Sequence, residues 1–265
     1  MNLEFCSLAS GSKGNSQFIS TKNSSLLIDA GMSGKYIENA LKSIDKKIDK
    51  IKGILVTHEH TDHILGVGVL MRRYDFPLYI TKNTFGEIKD KIGKIDIEKV
   101  NFIKKNEKFK IDDLIIEPYE ISHDAIEPLG FIVNYKNKKI SLATDLGHAP
   151  NKLIKKIKDC DLLFIESNHD ESMLESGKYP YFLKRRVLSN HGHLSNDAAG
   201  SVIKEVIKHG RVKNILLAHL SKENNFPELA FQTVKNYMME FDKNFVKDIS
   251  LDMTFRKKNS KLFRL

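Results

Sequence analysis

An α/β fold is what this sequence predicts, on three observations. Short apolar, β-branched runs of strand length alternate with segments whose apolar residues recur at helical spacing. Five of the runs finish on a polar residue, at His58, His123, Asp145, Glu166 and His219, and in α/β sheets functional groups gather beyond the carboxyl ends of strands. The 265 residues contain no linker-like tract, so residues 1–265 are expected to form a single domain with a substantial core.

The elements follow in order. Phe5 to Ile19 carries Gly11, Gly14 and Asn15 between apolar pieces, which predicts a bent strand pair around an exposed loop. A plain β-turn is the reading there; a phosphate nest is the alternative, although the lysine of a P-loop is missing. Ser25 to Asp29 is a buried strand ending on a carboxylate with a supporting role, and Gly31 and Gly34 open a helix near Tyr36 to Lys42. Gly53 to Thr57 is a further strand, followed by His58, His60, Asp62 and His63 in the stretch GILVTHEHTDH. If the chain stays extended, His58, His60 and Asp62 share a face and His63 swings across from the following turn. Two ligand sets in six residues point to two adjacent metals, against the alternative of histidines on a solvated loop.

Ile64 to Tyr74 has helical spacing and Phe76 to Ile80 returns as a strand. Lys99 to Ser122 holds three short strands broken at Lys105-Asn106 and Asp112-Asp113, the last leading to His123. Phe131 to Tyr135 and Lys139 to Thr144 form a hairpin whose second strand ends in Asp145. Pro150 to Lys158 is an amphipathic helix, and the strand Asp161 to Ile165 ends in Glu166-Ser167-Asn168-His169. Ser195 caps a helix running to His209, with Gly210 as its stop. Ile215 to Ala218 leads into His219, a helix runs from Pro227 to about Glu240, and Ile249 to Leu265 forms two short strands. Taken singly, Asp145 could cap a turn and His123 or His219 could be satisfied core histidines. Their common place at strand ends argues for a site.

The net charge of +9 suits a polyanionic partner, yet lysines scattered over the whole surface explain much of it. Cys6 and Cys160 lie far apart and outside any CxxC spacing, so free, buried thiols of a reducing compartment are expected. The start MNLEFCSLASGSKG has an acidic residue and no apolar signal core, and no run reaches membrane-spanning length. A cytoplasmic protein without membrane contact is the expectation.

The order HxHxDH, then His, Asp and His, resembles the metallo-β-lactamase-fold hydrolases. SLASGSKGNS, LLIDAG, VTHEHTDH, SNHD, GHLSNDAAG and AHLSKENN narrow the likeness to the YycJ/WalJ group, bacterial proteins described as 5′ to 3′ exonucleases acting on DNA. The resemblance runs over nearly the whole chain and implies an αββα sandwich of two mixed sheets flanked by helices. It also implies a ligand set: His58, His60 and His123 on one divalent ion, Asp62, His63 and His219 on a second, and Asp145 bridging both. Asp62 is thereby both ligand and catalytic residue. Aspartate at the bridging place fits phosphodiesterases and thioesterases, whereas many true β-lactamases of this fold have cysteine there.

Such a pair of ions implies a metal-bridging hydroxide as nucleophile. Zinc or manganese fits the nitrogen and oxygen donors, and iron does too. GHLSN resembles the GHST-type segment of tRNA-processing nucleases, which makes His193 the candidate proton donor and Glu166 its carboxylate partner; a neutral alternative is a helix N-cap region. Lys184, Arg185 and Arg186 are candidate contacts to the DNA backbone, with a solvated charge run as the alternative, and Ser195 and Asn196 join them at the helix start. His148, His169 and His191 stand near the motifs, His209 at a helix end, and Arg72 and Arg73 on an exposed helix face. The implied partner is single-stranded or nicked DNA. Two other readings stand beside it: a small-molecule hydrolase of the same fold, acting as thioesterase, lactonase or cyclic-nucleotide phosphodiesterase, and a metal-stabilised binding module. The sequence leaves the oligomeric state open.

Overall fold

The structure, a computed structural model, describes residues 2–241 and 246–265. Its strands are β1 (Glu4–Ala9), β2 (Ser16–Ser20), β3 (Ser25–Ile28), β4 (Ile54–Leu55), β5 (Leu78–Ile80), β6 (Val100–Phe102) and β7 (Phe109–Ile111), then β8 (Leu114–Glu120), β9 (Leu129–Tyr135), β10 (Lys138–Ala143), β11 (Leu162–Glu166), β12 (Asn214–Ala218), β13 (Ser250–Met253) and β14 (Phe263–Arg264). The helices are α1 (Gly34–Lys42), α2 (Thr61–Ile64), α3 (Val67–Tyr74), α4 (Lys82–Ile88), α5 (Asn151–Ile157), α6 (Glu171–Ser176), α7 (Tyr181–Val187), α8 (Asn196–His209) and α9 (Pro227–Phe241). Two mixed seven-stranded sheets result, ordered β14-β1-β2-β3-β4-β5-β6 and β13-β12-β11-β10-β9-β8-β7. The chain divides into two compact units, one of Met1–Glu120, Ala125–Asn137 and Phe255–Leu265, the other of Ile121–Asp124 and Lys138–Thr254.

In the first unit β1, β2 and β3 pair antiparallel, and β3 to β6 continue in parallel. Parallel pairing needs crossovers, and α1 and α3 supply them. Ser33 caps α1 by accepting from Tyr36 N at 3.2 Å. Ile37, Ala40 and Leu41 of α1 and Val67, Leu70 and Met71 of α3 pack with Cys6, Leu8, Phe18, Leu27, Ile54 and Val56 of the sheet. Burial of these apolar faces drives the layer together.

In the second unit β10 to β13 are all parallel. Helix α8 is capped by Ser195, whose Oγ accepts from Ala198 N, and ends at Gly210. Its stripe of Ala199, Val202, Ile203, Val206 and Ile207 is buried. Gly200 lets α9 approach closely, since a Cβ there would lie 2.6 Å from the Tyr237 ring.

Two sequence expectations change. The strand before the histidines is only Ile54–Leu55, and Thr61 to Ile64 is helical, so Asp62 and His63 sit on a helical turn. The alternation that would place His58, His60 and Asp62 on one extended face stops at His60. Lys184, Arg185 and Arg186 also lie on a helix, α7, that the charge run conceals.

Candidate metal centre

In the first unit the frame is built around Asp29, which ends β3 in the left-handed conformation, φ 59°. Its Oδ1 accepts from Thr57 N at 2.9 Å, and its Oδ2 accepts from Thr57 Oγ1 at 2.9 Å and from His63 Nδ1 at 2.8 Å. Burial pushes the Asp29 carboxyl up, while His63 and Thr57 oppose that shift. A carboxylate only accepts, so the His63 proton sits on Nδ1 and Nε2 carries the lone pair. Thr57 spends its hydroxyl proton on Asp29 and therefore accepts from His58 Nδ1 at 2.9 Å, which fixes His58 in the same tautomer. His58 Nε2 and His60 Nδ1 lie 3.1 Å apart. Two ring nitrogens that close need a shared proton or cation between them.

The loop between β1 and β2 completes this half. Asn15 Nδ2 donates towards Asp62 Oδ2 at 3.1 Å and His63 Nε2 at 3.0 Å, and Asn15 N donates to the Asp62 carbonyl at 2.7 Å. Only Ser12 and Lys13 of that loop are exposed; the segment read as a plain exposed turn is mostly buried against the motif. Gly31 makes room for it, because a Cβ there would stand 1.6 Å from the Asp62 carbonyl oxygen.

The second unit builds its half around Glu166, the fully buried last residue of β11. Its Oε1 accepts from His193 Nδ1 at 2.7 Å and from His219 Nδ1 at 3.0 Å; its Oε2 accepts from Leu146 N at 3.0 Å. Burial alone would raise the Glu166 carboxyl, but His193 and His219 outweigh it and hold the group well below the usual carboxylate range. Glu166 thus supports His219 as well as His193, a second role the sequence does not disclose. His219 follows β12 directly with φ 55°, and Asp145 stands two residues past β10 with φ 58°. Left-handed backbone at a histidine is uncommon and marks a constrained site. Asp145, Glu166, His193 and His219 each offer a ligand atom within 4.8 Å of the others. His123 is buried, which pushes its imidazole pKa down, and its Nδ1 donates to Gly192 O at 3.2 Å.

One pattern unites both halves. His58, His63, His123, His193 and His219 each commit Nδ1 to a protein oxygen and present Nε2 as the lone-pair nitrogen. Imidazoles fixed this way, beside carboxylates, are the donor set divalent cations require, so the residues fit such ions.

The remaining candidates divide. Lys184 Nζ donates to Glu175 O at 2.6 Å, Arg186 pairs with Asp124, and the Arg185 guanidinium lies 5.9 Å from the Tyr181 ring centre. Asn196 is fully buried, bonded to Ser167 and Asn225, and so orders the loop behind the site. His148 Nδ1 faces Asn190 O at 3.0 Å, and His191 and His209 are exposed. Arg72 holds the Ile92 and Lys94 carbonyls, and Arg73 is exposed. Asn15, Thr57 and Asn168, which donates to His219 O at 2.9 Å, are frame residues that no spacing in the sequence announces.

Two mixed sheets flanked by helices, with imidazoles and carboxylates gathered at strand ends, define a metallo-β-lactamase-fold protein. Residues 25–219 match the family model described as Beta-lactamase superfamily domain, and the chain belongs to that family. It is 40% identical over 240 residues to the Exodeoxyribonuclease YycJ of Bacillus anthracis, covering 91% of this chain and 90% of the relative. To the Exodeoxyribonuclease WalJ of Streptococcus pneumoniae serotype 2 it is 39% identical over 245 residues, with 91% and 90% covered. Among solved structures, the metallo-beta-lactamase fold protein YhfI from Bacillus subtilis superposes with a TM-score of 0.72 over 98% of this chain and 99% of that one, at 14% identity, a likeness of fold. Among the described residues no helix is long and apolar enough to cross a membrane.

Proposed function

We propose that the chain is a dinuclear metal-dependent phosphodiesterase, a 5′ to 3′ exonuclease acting on DNA in the cytoplasm. The carrying observation is the set of five imidazoles locked through Nδ1, taken with the names of the relatives that match nine-tenths of the chain. In this reading residues 1–265 act as one hydrolase domain, and the family match from 25 to 219 extends through both units. His58, His60 and His123 would hold one divalent ion, Asp62, His63 and His219 the other, and Asp145 both; zinc and manganese fit the donors, as does iron. Such ions supply Lewis acidity towards phosphoryl oxygens and bring the pKa of a bound water from 15.7 to about 7.

The chain's own residues do the rest. His193 delivers a proton from Nε2 to the departing sugar oxygen, and Glu166 holds its Nδ1–H and stabilises the charged imidazolium. Asp29 and Thr57 keep His58 and His63 in the ligating tautomer. Lys184, Arg185 and Arg186, together with the start of α8 at Ser195, contact the DNA backbone; Asn196 acts from beneath that helix start.

Metal-loaded protein is to be incubated with 5′-labelled and 3′-labelled single-stranded DNA, with zinc and manganese in separate reactions. Stepwise release from the 5′ end is expected, abolished in His60→Ala. His193→Ala should retain its metal and lose roughly 10²- to 10⁴-fold in kcat, the usual weight of a general acid. Full turnover in His193→Ala, or release from the 3′ end first, would overturn the assignment concerned.

A further inference from the structure

Helix α7 buries one residue, Val187, and presents its other apolar side chains to water. Tyr181 and Phe182 are 75% and 73% exposed, while Phe5, Phe18, Phe131 and Phe164 are at most 1% exposed. Adjacent exposed rings of this size are unfavourable in water unless something covers them. The helix that carries them is nevertheless held firmly. Lys184 ties it to Glu175, Arg186 to Asp124, and the Val187 carbonyl accepts from His193 N at 3.0 Å. Gly192 passes so close to the helix end that a Cβ would lie 2.1 Å from the Val187 oxygen. The aromatic pair is therefore fixed to the same backbone that positions His193. Its surroundings are cationic: Lys178, Arg185 and Arg186 are exposed, and Arg185 lies over Tyr181.

We propose that Tyr181 and Phe182 form a stacking platform for unpaired bases of the DNA strand, with Arg185 beside them on the backbone. This rests on the nuclease reading and adds to it a preference for single-stranded over fully paired substrate. Aromatic faces in a basic setting are how proteins hold single strands without reading sequence, because every base has a π-face. A duplex keeps its bases stacked on one another and offers the rings nothing. A strand unpaired at the platform is led towards His193 by the chain segment from Leu188 to His191, which is exposed throughout.

The test titrates phosphorothioate-linked oligothymidylate, and an abasic strand of equal length and charge, into the metal-loaded full-length protein, read by fluorescence anisotropy. Wild type should bind thymidylate more tightly than the abasic strand. Tyr181→Ala with Phe182→Ala should weaken thymidylate binding by roughly 5- to 100-fold per ring lost, with abasic binding and salt slope unchanged. The chain has no tryptophan, so Phe182→Trp supplies a single reporter whose emission should be quenched by thymidylate and not by the abasic strand. Thymidylate binding that is indifferent to the double substitution, or unquenched emission, overturns the platform. A wild-type dimer that dissociates in the double variant would assign the patch to a second copy of the chain, and capture by anionic vesicles would assign it to a membrane; either result overturns the proposal. Base-insensitive binding with intact DNA cleavage removes only the platform, whereas failure of wild type to bind or cleave any strand removes the nuclease reading itself.

Discussion

His169 lies one residue beyond Asn168, yet it stands outside the pattern that fixes the other buried imidazoles. It is 1% exposed, its Nδ1 has only a long contact of 3.3 Å to Asn168 Oδ1, and its Nε2 has no hydrogen-bond partner among the described residues. Burial without an acceptor favours the neutral ring and brings its pKa from 6.5 down to about 4. The sign of the consequence is fixed by linkage. Between those two values the unfolded chain binds a proton that the native state refuses, so stability falls as pH drops from 6.5 towards 4. At about 1.4 kcal/mol per unit the loss is roughly 3 kcal/mol. Urea unfolding of wild type and His169→Gln at pH 7 and pH 4.5 should show the variant gaining on wild type by roughly 2 to 3 kcal/mol at the acid end. Parallel acid limbs would show that His169 titrates normally. The cysteines follow the same physics in the opposite sense, since burial pushes Cys6 up to about 11 and Cys160 up to about 12, leaving both as unreactive thiols at neutral pH.

Among elements, the loop before β2 and the turn at α2 depend on each other through Gly31. An alanine Cβ at Gly31 would fall 1.6 Å from the Asp62 carbonyl oxygen and 2.7 Å from Asn15 N, both backbone atoms that cannot swing aside. Gly31→Ala should therefore cost about 3 kcal/mol or more and loosen Asp62, read as lowered thermal stability together with weakened metal uptake. Gly86→Ala is the control: it lies in α4 with nothing within 4 Å of the added carbon and should stabilise by about 1 kcal/mol. A Gly31→Ala protein as stable as wild type would mean the loop yields easily. The same contrast explains what the sequence could disclose. The stripe of α8, its Ser195 cap and the runs that become β11 and β12 repeat over enough residues for periodicity to speak. Helix α2 has four residues, too few for any period, and α7 buries only Val187, so its pattern reads as charge. Asn15 reaches Asp62 across 47 positions, and a polar contact that distant leaves no local signature. Ligand types and order were legible; the tautomer-fixing partners of the imidazoles, Asp29 apart, were not.

For the molecule as a whole, the proposed ligands would place Asp62 and Asp145 near a carboxylate, Glu166, that the protein already compensates with two imidazoles. Cations bound only by the native state stabilise it by RT ln(1 + [L]/Kd), about 2.7 kcal/mol at a hundredfold excess over Kd. For a chain of 265 residues each kcal/mol moves Tm by roughly 2 to 4 °C, so saturating zinc or manganese should raise Tm by about 5 to 10 °C over chelated protein. His60 provides the discriminating variant because it is only part-buried and its loss leaves the Asp29 and Glu166 frames intact. Chelated His60→Ala should melt within about 2 °C of chelated wild type, as surface-near substitutions do, while its response to added metal shrinks. Differential scanning fluorimetry with elemental analysis of the same samples reads both quantities. Equal melting of chelated and metal-loaded wild type, with no metal retained, would remove the dinuclear centre and leave the locked imidazoles without a purpose.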